Sequence, residues 1–258
     1  MIRYEDRGPL RLMFNGRDSQ LMLGLMLREY PFMLVGEYGN SMMAWILFEE
    51  LSALSARHAM QLGLGPGVLT RYCHGKLGMR TTAVEIDPLV VTACRDWFLL
   101  APDGEKLSVV VGDAREEIAR QWIKGTVDAL QVDLFDSEAH RPAVDDLVFW
   151  ADCKASLTPT GCMVVNVYGH HCGYDPWTTI HRIQEVFGRE AVWVMHPQTV
   201  PNLIVLARNA PMPGNMVALA AHAGVLEEKF RLPASSWLTR LQCPLAPAST
   251  AVQPGHVQ

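Results

Sequence analysis

The sequence lacks the features that mark a membrane protein or a nucleic-acid-binding protein. No stretch of its 258 residues approaches the roughly 18 continuous apolar residues that a membrane-spanning helix needs. Acidic residues outnumber basic ones, so the formal net charge is −5 at pH 7, and Lys and Arg form no run. We therefore expect neither a membrane nor a nucleic acid as a partner.

Cysteine pairs are missing as well. The six cysteines are scattered and form no Cys-x-x-Cys motif, which is typical of a reduced cytoplasmic protein and not of a disulfide scaffold or a zinc site. The cluster His170-His171-Cys172 has no second cluster to complete a ligand set, so we expect no metal. The segment Met1–Arg7 is unlike a signal peptide, because it contains acidic residues and has no apolar core. We therefore expect a cytoplasmic protein.

From about residue 58 onward, short apolar runs alternate with longer amphipathic ones. This pattern predicts an α/β fold: a Rossmann-like, seven-stranded, mostly parallel sheet with helices on both faces. The strands are predicted over His58–Leu64, Thr81–Glu85, Leu107–Gly112, Ala129–Leu134, Cys162–Val167, Val192–His196 and Leu203–Ala207. Only residues 197–202 separate the last two strands, which suits a terminal antiparallel hairpin and not a crossover helix.

Helices are predicted between these strands, over Val68–Gly75, Leu89–Leu99, Arg115–Lys124, Val144–Ser156 and Thr178–Phe187. Four parts of the chain are expected: an N-terminal β-element and helix (1–57), a nucleoside-binding domain (58–210), a helical extension (211–243) and a disordered tail (244–258). In the first part, Asn15-Gly16 predicts a hairpin turn, and an apolar helix is expected around Ser41–Ala53. The extension should contain one helix, Met216–Lys229.

A glycine-rich turn follows the first strand of the sheet and contains Gly63, Gly65 and Gly67. Glycines let the backbone turn sharply and approach a ligand closely, and a carboxylate at the end of the next strand, here Glu85, can accept hydrogen bonds from ribose hydroxyls. The pattern therefore predicts a nucleoside site. The alternative is a structural turn and a solvated glutamate.

Further carboxylates follow the strands at the edge where open parallel sheets bind ligands. Asp87 and Asp113 each precede a predicted helix, so each could cap that helix or contact a ligand, with Asp113 placed to accept the adenine amino group. Asp133 follows a buried apolar run, where packing does not explain a charge, and could hold an amine or take its proton. Asp136 could be only a loop acid.

Together these residues resemble the spermidine synthase (polyamine aminopropyltransferase) family, a branch of the class I S-adenosylmethionine-dependent methyltransferase fold. The resemblance is best from Gln61 to about Val167. The segments that carry it are Gly63–Gly67, Val84–Asp87, Gly112–Ala114 and Asp133–Asp136. The segment from Gly8 to Gly16, followed by Gln20, is similar to the small β-domain of the family.

The resemblance implies specific roles. Asp133 would orient and deprotonate the attacking amine, and Asp136 would help to bind it. Glu85 would hold the ribose and Asp113 the adenine. The residues implied to contact the cofactor are Gln20, Gly63, Gly65, Gly67, Glu85, Asp87, Asp113 and Ala114.

The function expected from this resemblance is transfer of an aminopropyl group from decarboxylated S-adenosylmethionine to a polyamine or related amine. Two alternatives stay open, because the family has an acid for the aminopropyl ammonium where this chain has Gly65. One is methyl transfer from S-adenosylmethionine, whose own carboxylate an acid there would repel. The other is a nucleoside-binding protein without turnover. The family's β-domain commonly builds dimers, which implies a homodimer.

The acceptor is not specified by the sequence. The family's Tyr-His/Gln-Glu segment falls near Asn40-Ser41-Met42 and is not retained, and residues 197–202 contain no tyrosine. Apolar Met42, Met43, Trp45 and Phe135 could shape a less polar pocket or could belong to the core.

Overall fold

The computed structural model describes residues 1–16, 21–135, 142–169 and 173–243. Gln20, Asp136, His170-His171-Cys172 and the predicted tail therefore lie outside the described residues.

The N-terminal β-element is a small antiparallel sheet. It consists of β1 (Ile2–Arg7), β2 (Leu10–Asn15) and β3 (Met22–Leu27), in the order β1-β2-β3. Met13 and Met26 turn inward and are almost completely buried in a cluster that includes residues of the main domain. The small sheet thus shares a core with the large one, because its apolar face would otherwise be exposed to water.

The large sheet has eight strands within the described residues, in the order β6-β5-β4-β7-β8-β10-β9-β11. Their bounds are β4 His58–Leu62, β5 Arg80–Glu85, β6 Leu107–Val111, β7 Val127–Val132, β8 Leu157–Val167, β9 Val192–Met195, β10 Leu203–Arg208 and β11 Leu241–Gln242. Strands β4 to β8 pair in parallel, and β9 and β10 form the predicted antiparallel hairpin. The predicted fold class is therefore confirmed, with β11 as an additional edge strand.

The described chain contains eight α-helices, joined by shorter 3₁₀ and π turns. They are α1 Gly36–Ser41, α2 Val68–Arg71, α3 Pro88–Trp97, α4 Ala114–Ile118, α5 Leu147–Ser156, α6 Pro176–Phe187, α7 Met216–Phe230 and α8 Ala234–Arg240. None of these helices is long and apolar enough to cross a membrane.

The predicted helix around Ser41–Ala53 was wrong. The helix α1 ends at Ser41, and 3₁₀-helices follow over Ala44–Phe48 and Leu51–Ala56. Successive side chains from Met42 to Leu47 are almost completely buried. The segment is therefore enclosed on all sides, whereas an amphipathic helix would bury only one face. Met42, Met43 and Trp45 accordingly belong to the core.

The helix predicted over Arg115–Lys124 is also interrupted. The helix α4 ends at Ile118, and a separate 3₁₀ turn covers Gln121–Ile123. Ile118 and Ile123 are both fully buried in the same cluster, although a continuous α-helix would place residues five apart on different faces. The break lets both side chains reach the core.

Buried clusters lie on both faces of the large sheet. One cluster joins the segment after α1 to α2, α7 and α8, and the other joins α4, α5 and α6. The residues of the candidate site lie at the carboxyl ends of β4, β5 and β7.

Candidate active site

The glycine-rich turn brings the ends of three strands together. Gly63 has φ +85°, and its N–H donates to the carbonyl of Val84 at 2.9 Å. A Cβ atom at Gly63 would lie 2.3 Å from the carbonyl oxygen of Asp133, so only glycine allows this approach. Gly67, with φ +70°, then leads the chain into α2. The turn therefore places β4 beside the residues that follow β5 and β7.

The small N-terminal sheet packs directly on this turn. A Cβ atom at Gly24 of β3 would lie 2.7 Å from Pro66, and one at Gly65 would lie 3.2 Å from the carbonyl oxygen of Leu23. From the other side, the buried guanidinium of Arg71 donates to the carbonyl of Pro66 at 2.5 Å. Burial lowers the pKa of Arg71 to about 10. The turn is thus held between β3 and α2.

Glu85 lies at the predicted position beside the turn. Its Oε2 accepts a hydrogen bond from the N–H of Leu64, and its Oε1 accepts one from the N–H of Asp87, both at 3.0 Å. These bonds orient the half-buried carboxylate. Each carboxylate oxygen can accept more than one hydrogen bond, so the group retains capacity for ribose hydroxyls.

Asp87 and Asp113 both cap helices. The carboxylate of Asp87 accepts a hydrogen bond from the N–H of Leu89 at 2.8 Å, at the start of α3. Asp113 accepts from the N–H of Arg115 at 2.7 Å, at the start of α4, whose first residue is Ala114. The capping alternative is therefore realised for both aspartates, and their contacts with a ligand stay predictions.

Asp133 is the centre of a hydrogen-bonded chain of side chains. The hydroxyl of Tyr38 donates to its Oδ2, and Nδ2 of Asn166 donates to its Oδ1 at 2.9 Å. Asn202 in turn donates to the side-chain oxygen of Asn166 at 2.8 Å. Burial raises the pKa of Asp133, and the hydrogen bonds from Tyr38 and Asn166 oppose that rise. An oriented carboxylate with a raised pKa is suited to accept a proton from an amine.

A cavity of about 250 Å³ opens in front of Asp133. Its walls come from β3, the segment around α1, the glycine-rich turn and the loop between β9 and β10. The lining residues are Met22–Leu25, Val35–Gly39, Gln61, Leu64–Pro66, Val68, Leu69, Asp133, Thr199 and Val200. The cavity thus extends from the glycine-rich turn to Asp133, and Glu85, Asp87 and Asp113 are not among its lining residues.

Three residues of this site were missed at the sequence level: Tyr38, Asn166 and Glu37. Asn166 had a usable signal, because it interrupts the apolar run of β8 near the carboxyl end of a parallel strand. Tyr38 and Glu37 had none, since they lie in a short helix outside the sheet domain. Within the described residues, no three His, Cys, Asp or Glu side chains form a group that could hold a metal.

No protein-family model matches the chain. A polyamine aminopropyltransferase of Neisseria meningitidis serogroup A is 31% identical over 235 residues, which cover 90% of this chain and 85% of that protein. The chain belongs to the polyamine aminopropyltransferase family. The predicted family is confirmed, and this family member is a transferase.

Solved structures agree with this family's fold. A probable spermidine synthase from Corynebacterium glutamicum superposes with a TM-score of 0.67 at 21% identity, covering 98% of this chain and 95% of that one. Human methyltransferase-like protein 13 in complex with SAH gives a TM-score of 0.65 at 21% identity, covering 84% and 98%. At these identities the likeness establishes the methyltransferase-like fold of this aminopropyltransferase-family chain.

Proposed function

We propose that this protein transfers an aminopropyl group from decarboxylated S-adenosylmethionine to a polyamine or related amine. The observation that carries the proposal is the Asp133 carboxylate, oriented by Tyr38 and Asn166 in the wall of a cavity beside the glycine-rich turn. A base in that position can receive a proton from an amine bound in the cavity. Relatives named polyamine aminopropyltransferase support the same reaction.

The donor is an S-adenosylmethionine-type molecule held at the carboxyl ends of β4, β5 and β6. Glu85 accepts hydrogen bonds from the ribose, Asp113 faces the adenine, and Gly63, Gly65 and Gly67 allow the backbone to approach the donor. Asp87 and Ala114 flank these contacts, and Gln20 completes them from the N-terminal part. A related fold solved in complex with SAH supports a ligand of this class.

The chemistry is a displacement at carbon. The amine nitrogen forms a bond to the carbon beside the sulfonium as the carbon–sulfur bond breaks, and neutral methylthioadenosine leaves. Asp133 accepts the proton that the amine loses, and Asp136 assists in binding the amine. Because the sulfonium is already a good leaving group, the protein mainly contributes alignment and a base.

Methyl transfer is the second candidate, and Gly65 is the observation that favours it. Gly65 has φ +51° and faces the carbonyl of Leu23 without a side chain, so no acid at this position pairs with an aminopropyl ammonium. A donor that keeps its carboxylate would avoid repulsion there.

Ligand-dependent thermal unfolding separates these candidates. A ligand present at about 100 times its dissociation constant adds about 2.7 kcal/mol to the free energy of unfolding. Stabilisation by decarboxylated S-adenosylmethionine and methylthioadenosine supports aminopropyl transfer, whereas stabilisation by S-adenosylmethionine and S-adenosylhomocysteine supports methyl transfer. No shift with any of the four would exclude both.

The proposed base is tested with Asp133→Asn. We expect turnover to be lost while affinity for the donor changes little, because the amide has nearly the same size and shape as the carboxylate but accepts no proton. Asp96→Asn, an exposed change on α3, is the matched control. Full turnover by the Asp133→Asn protein would show that another group is the base.

We further propose a homodimer formed through the N-terminal β-element and a cytoplasmic location. Free thiols at Cys73, Cys94, Cys153 and Cys162 support a reducing compartment. Light scattering of the purified chain measures the oligomeric state, and a monomeric mass at micromolar concentration would contradict the dimer.

A further inference from the structure

The register of three strands places Asp133, Asn166 and Asn202 in one row across the large sheet. Strands β7 and β8 pair in parallel up to the residue before Asp133 and the residue before Asn166, so these two side chains come next to each other. In the antiparallel pair of β8 and β10, Asn166 lies opposite Ile204. Asn202 stands two residues before Ile204 and is therefore a diagonal neighbour of Asn166 on the same face.

The carboxylate of Asp133 gives this row a direction. An ionised carboxylate only accepts hydrogen bonds, so Asn166 must present its NH2 group to Asp133, and its Nδ2 lies 2.9 Å from Oδ1 of the carboxylate. The side-chain oxygen of Asn166 then points away from Asp133 and needs a donor. Asn202 supplies that donor through its own Nδ2, at 2.8 Å. The two amides therefore donate in series toward the carboxylate.

The bond from Asn202 decides which side of the Asn166 amide faces the carboxylate. An amide can turn over with little change in shape, which exchanges its NH2 group and its oxygen. In the turned orientation, the oxygen of the buried Asn166 would face Asp133, lose a hydrogen bond and repel the negative charge. Donation by Asn202 favours the other orientation, and it also polarises the amide so that its N–H is a stronger donor.

The loop that carries Asn202 is fixed to the rest of the site by Glu37. Oε2 of Glu37 accepts hydrogen bonds from the N–H of Gln198 (2.8 Å), the N–H of Thr199 (2.6 Å) and the hydroxyl of Thr199 (2.7 Å). Its Oε1 forms an ion pair with Arg240 at the end of α8. The start of β10 is thus held against α1 and α8, so Asn202 has a defined position.

We propose that Asn202 is a positioning residue for the reaction: through the amide of Asn166, it holds the Asp133 carboxylate in the orientation that accepts the proton of the acceptor amine. This inference rests on the proposed role of Asp133 as the base. Asn202 is not among the described lining residues of the cavity, so its effect passes through Asn166.

The charge of Asp133 is the quantity to measure. Glu37 and Tyr38 are the other titratable groups among the described lining residues of the cavity. Burial alone would raise the pKa of Glu37, but the bonds from Thr199 and Gln198 and the charge of Arg240 outweigh it and lower that pKa to about 2. Burial raises the pKa of Tyr38 well above its ordinary value. Neither group therefore changes its charge near neutral pH.

Carbon-13 NMR of the aspartate carboxyl groups follows Asp133 directly and needs no turnover. The signal of Asp133 is identified by its loss from the Asp133→Asn protein. Because the hydrogen bond from Asn166 lowers the pKa of Asp133 against the effect of burial, weakening that bond should raise this pKa.

Asn202→Leu removes the donor and keeps a side chain of similar size. We expect the Asp133 signal to titrate at higher pH than in the wild-type protein. Below the acid limb of the pH profile, kcat should fall about threefold to tenfold, as expected for loss of one neutral hydrogen bond. The KM for decarboxylated S-adenosylmethionine should change little. Gln198→Leu removes an exposed amide from the same loop and is the matched control.

A double-mutant cycle shows whether Asn202 acts through Asn166. If it does, Asn166→Leu alone should shift the titration of Asp133 at least as far as Asn202→Leu, and the double variant should match Asn166→Leu alone. Thermal unfolding confirms that each variant is folded. Asn202→Ala provides the same comparison if the leucine protein does not fold.

The possible outcomes distinguish the positioning role from the reaction. An unchanged titration of Asp133 in a folded Asn202→Leu protein, or additive effects of the Asn166 and Asn202 substitutions, would overturn the positioning role and leave aminopropyl transfer standing. Absence of transfer to any amine by the wild-type protein would contradict the proposed reaction, and the NMR titration would still decide whether Asn202 positions Asp133.

Discussion

The hydroxyl of Tyr38 donates a hydrogen bond to the carboxylate of Asp133, although the two residues are 95 positions apart in the chain. Tyr38 belongs to α1, outside the large sheet, whereas Asp133 follows β7 directly. Asn166 holds the other carboxylate oxygen from β8. The orientation of the proposed base is therefore set by three separate segments of the chain.

Tyr38→Phe should raise the pKa of Asp133 further, because the hydrogen bond from Tyr38 lowers that pKa against the effect of burial. A base acts in its ionised form, so the acid limb of the kcat profile at saturating amine should move to higher pH. The rate below that limb should fall by about tenfold or more, as expected for loss of a hydrogen bond to a charged group. Tyr30→Phe, at an exposed position, is the control. An acid limb at the same pH as in the wild-type protein would show that Tyr38 does not lower the pKa of the base.

Glu85→Gln should weaken binding of methylthioadenosine by about tenfold to a hundredfold. The carboxylate is held beside the turn by the N–H groups of Leu64 and Asp87, and hydrogen bonds to a charged acceptor contribute about 1.5–3 kcal/mol each. Isothermal calorimetry measures the dissociation constant, and Asp96→Asn should leave it unchanged. Equal affinity in the Glu85→Gln protein would show that the ribose binds elsewhere.

Gly63→Ala should destabilise the fold by about 1–3 kcal/mol, the usual cost of an overpacked site. The new Cβ atom would lie 2.3 Å from the carbonyl oxygen of Asp133, and φ at this position is +85°. Gly104→Ala is the matched control, since nothing lies within 4 Å of a Cβ atom there. Urea unfolding of both variants gives the comparison. Similar midpoints for the two would mean that the turn relaxes without strain.

Glu49→Gln should change how the free energy of unfolding depends on pH. Burial raises the pKa of Glu49 from 4.5 to about 7, although Arg57 lies 3.4 Å away and opposes the rise. The folded state therefore holds this proton more tightly than the unfolded chain, so stability is lost as pH rises from about 4.5 to about 7. The glutamine variant should not show this loss.

His58 contributes a slope of opposite sign, because burial lowers its pKa from 6.5 to about 4 and stability therefore falls as pH drops through that range. Subtracting the wild-type curve from the Glu49→Gln curve removes this common contribution. The difference should grow between pH 4.5 and 7 and then become constant. Glu50→Gln, at the exposed neighbouring residue, should give a flat difference, and a flat difference for Glu49→Gln would contradict the prediction.

Prediction from sequence worked best where the signal is local. The parallel strands are apolar runs of regular spacing. Glu85 ends one such strand and Asp133 directly follows another, so their place at one edge of the sheet follows from the fold class. Local sequence patterns predicted the wrong secondary structure where a segment is buried on all sides, as in the 3₁₀ turns after Ser41. They also failed for β11, because its two residues are too short to show a period.

The sequence by itself determined the fold class, the glycine-rich turn and the acids that follow the strands. Only the tertiary structure decided what those acids contact. Tyr38 meets Asp133 across 95 residues, and Glu37 meets Arg240 across 203. Such pairs form because helix and strand packing brings distant side chains together, and no spacing along the chain encodes that packing. The sequence therefore specifies where the acids lie along the chain. Their charge state, and whether their oxygens are still available to a ligand, depend on partners that only folding brings close.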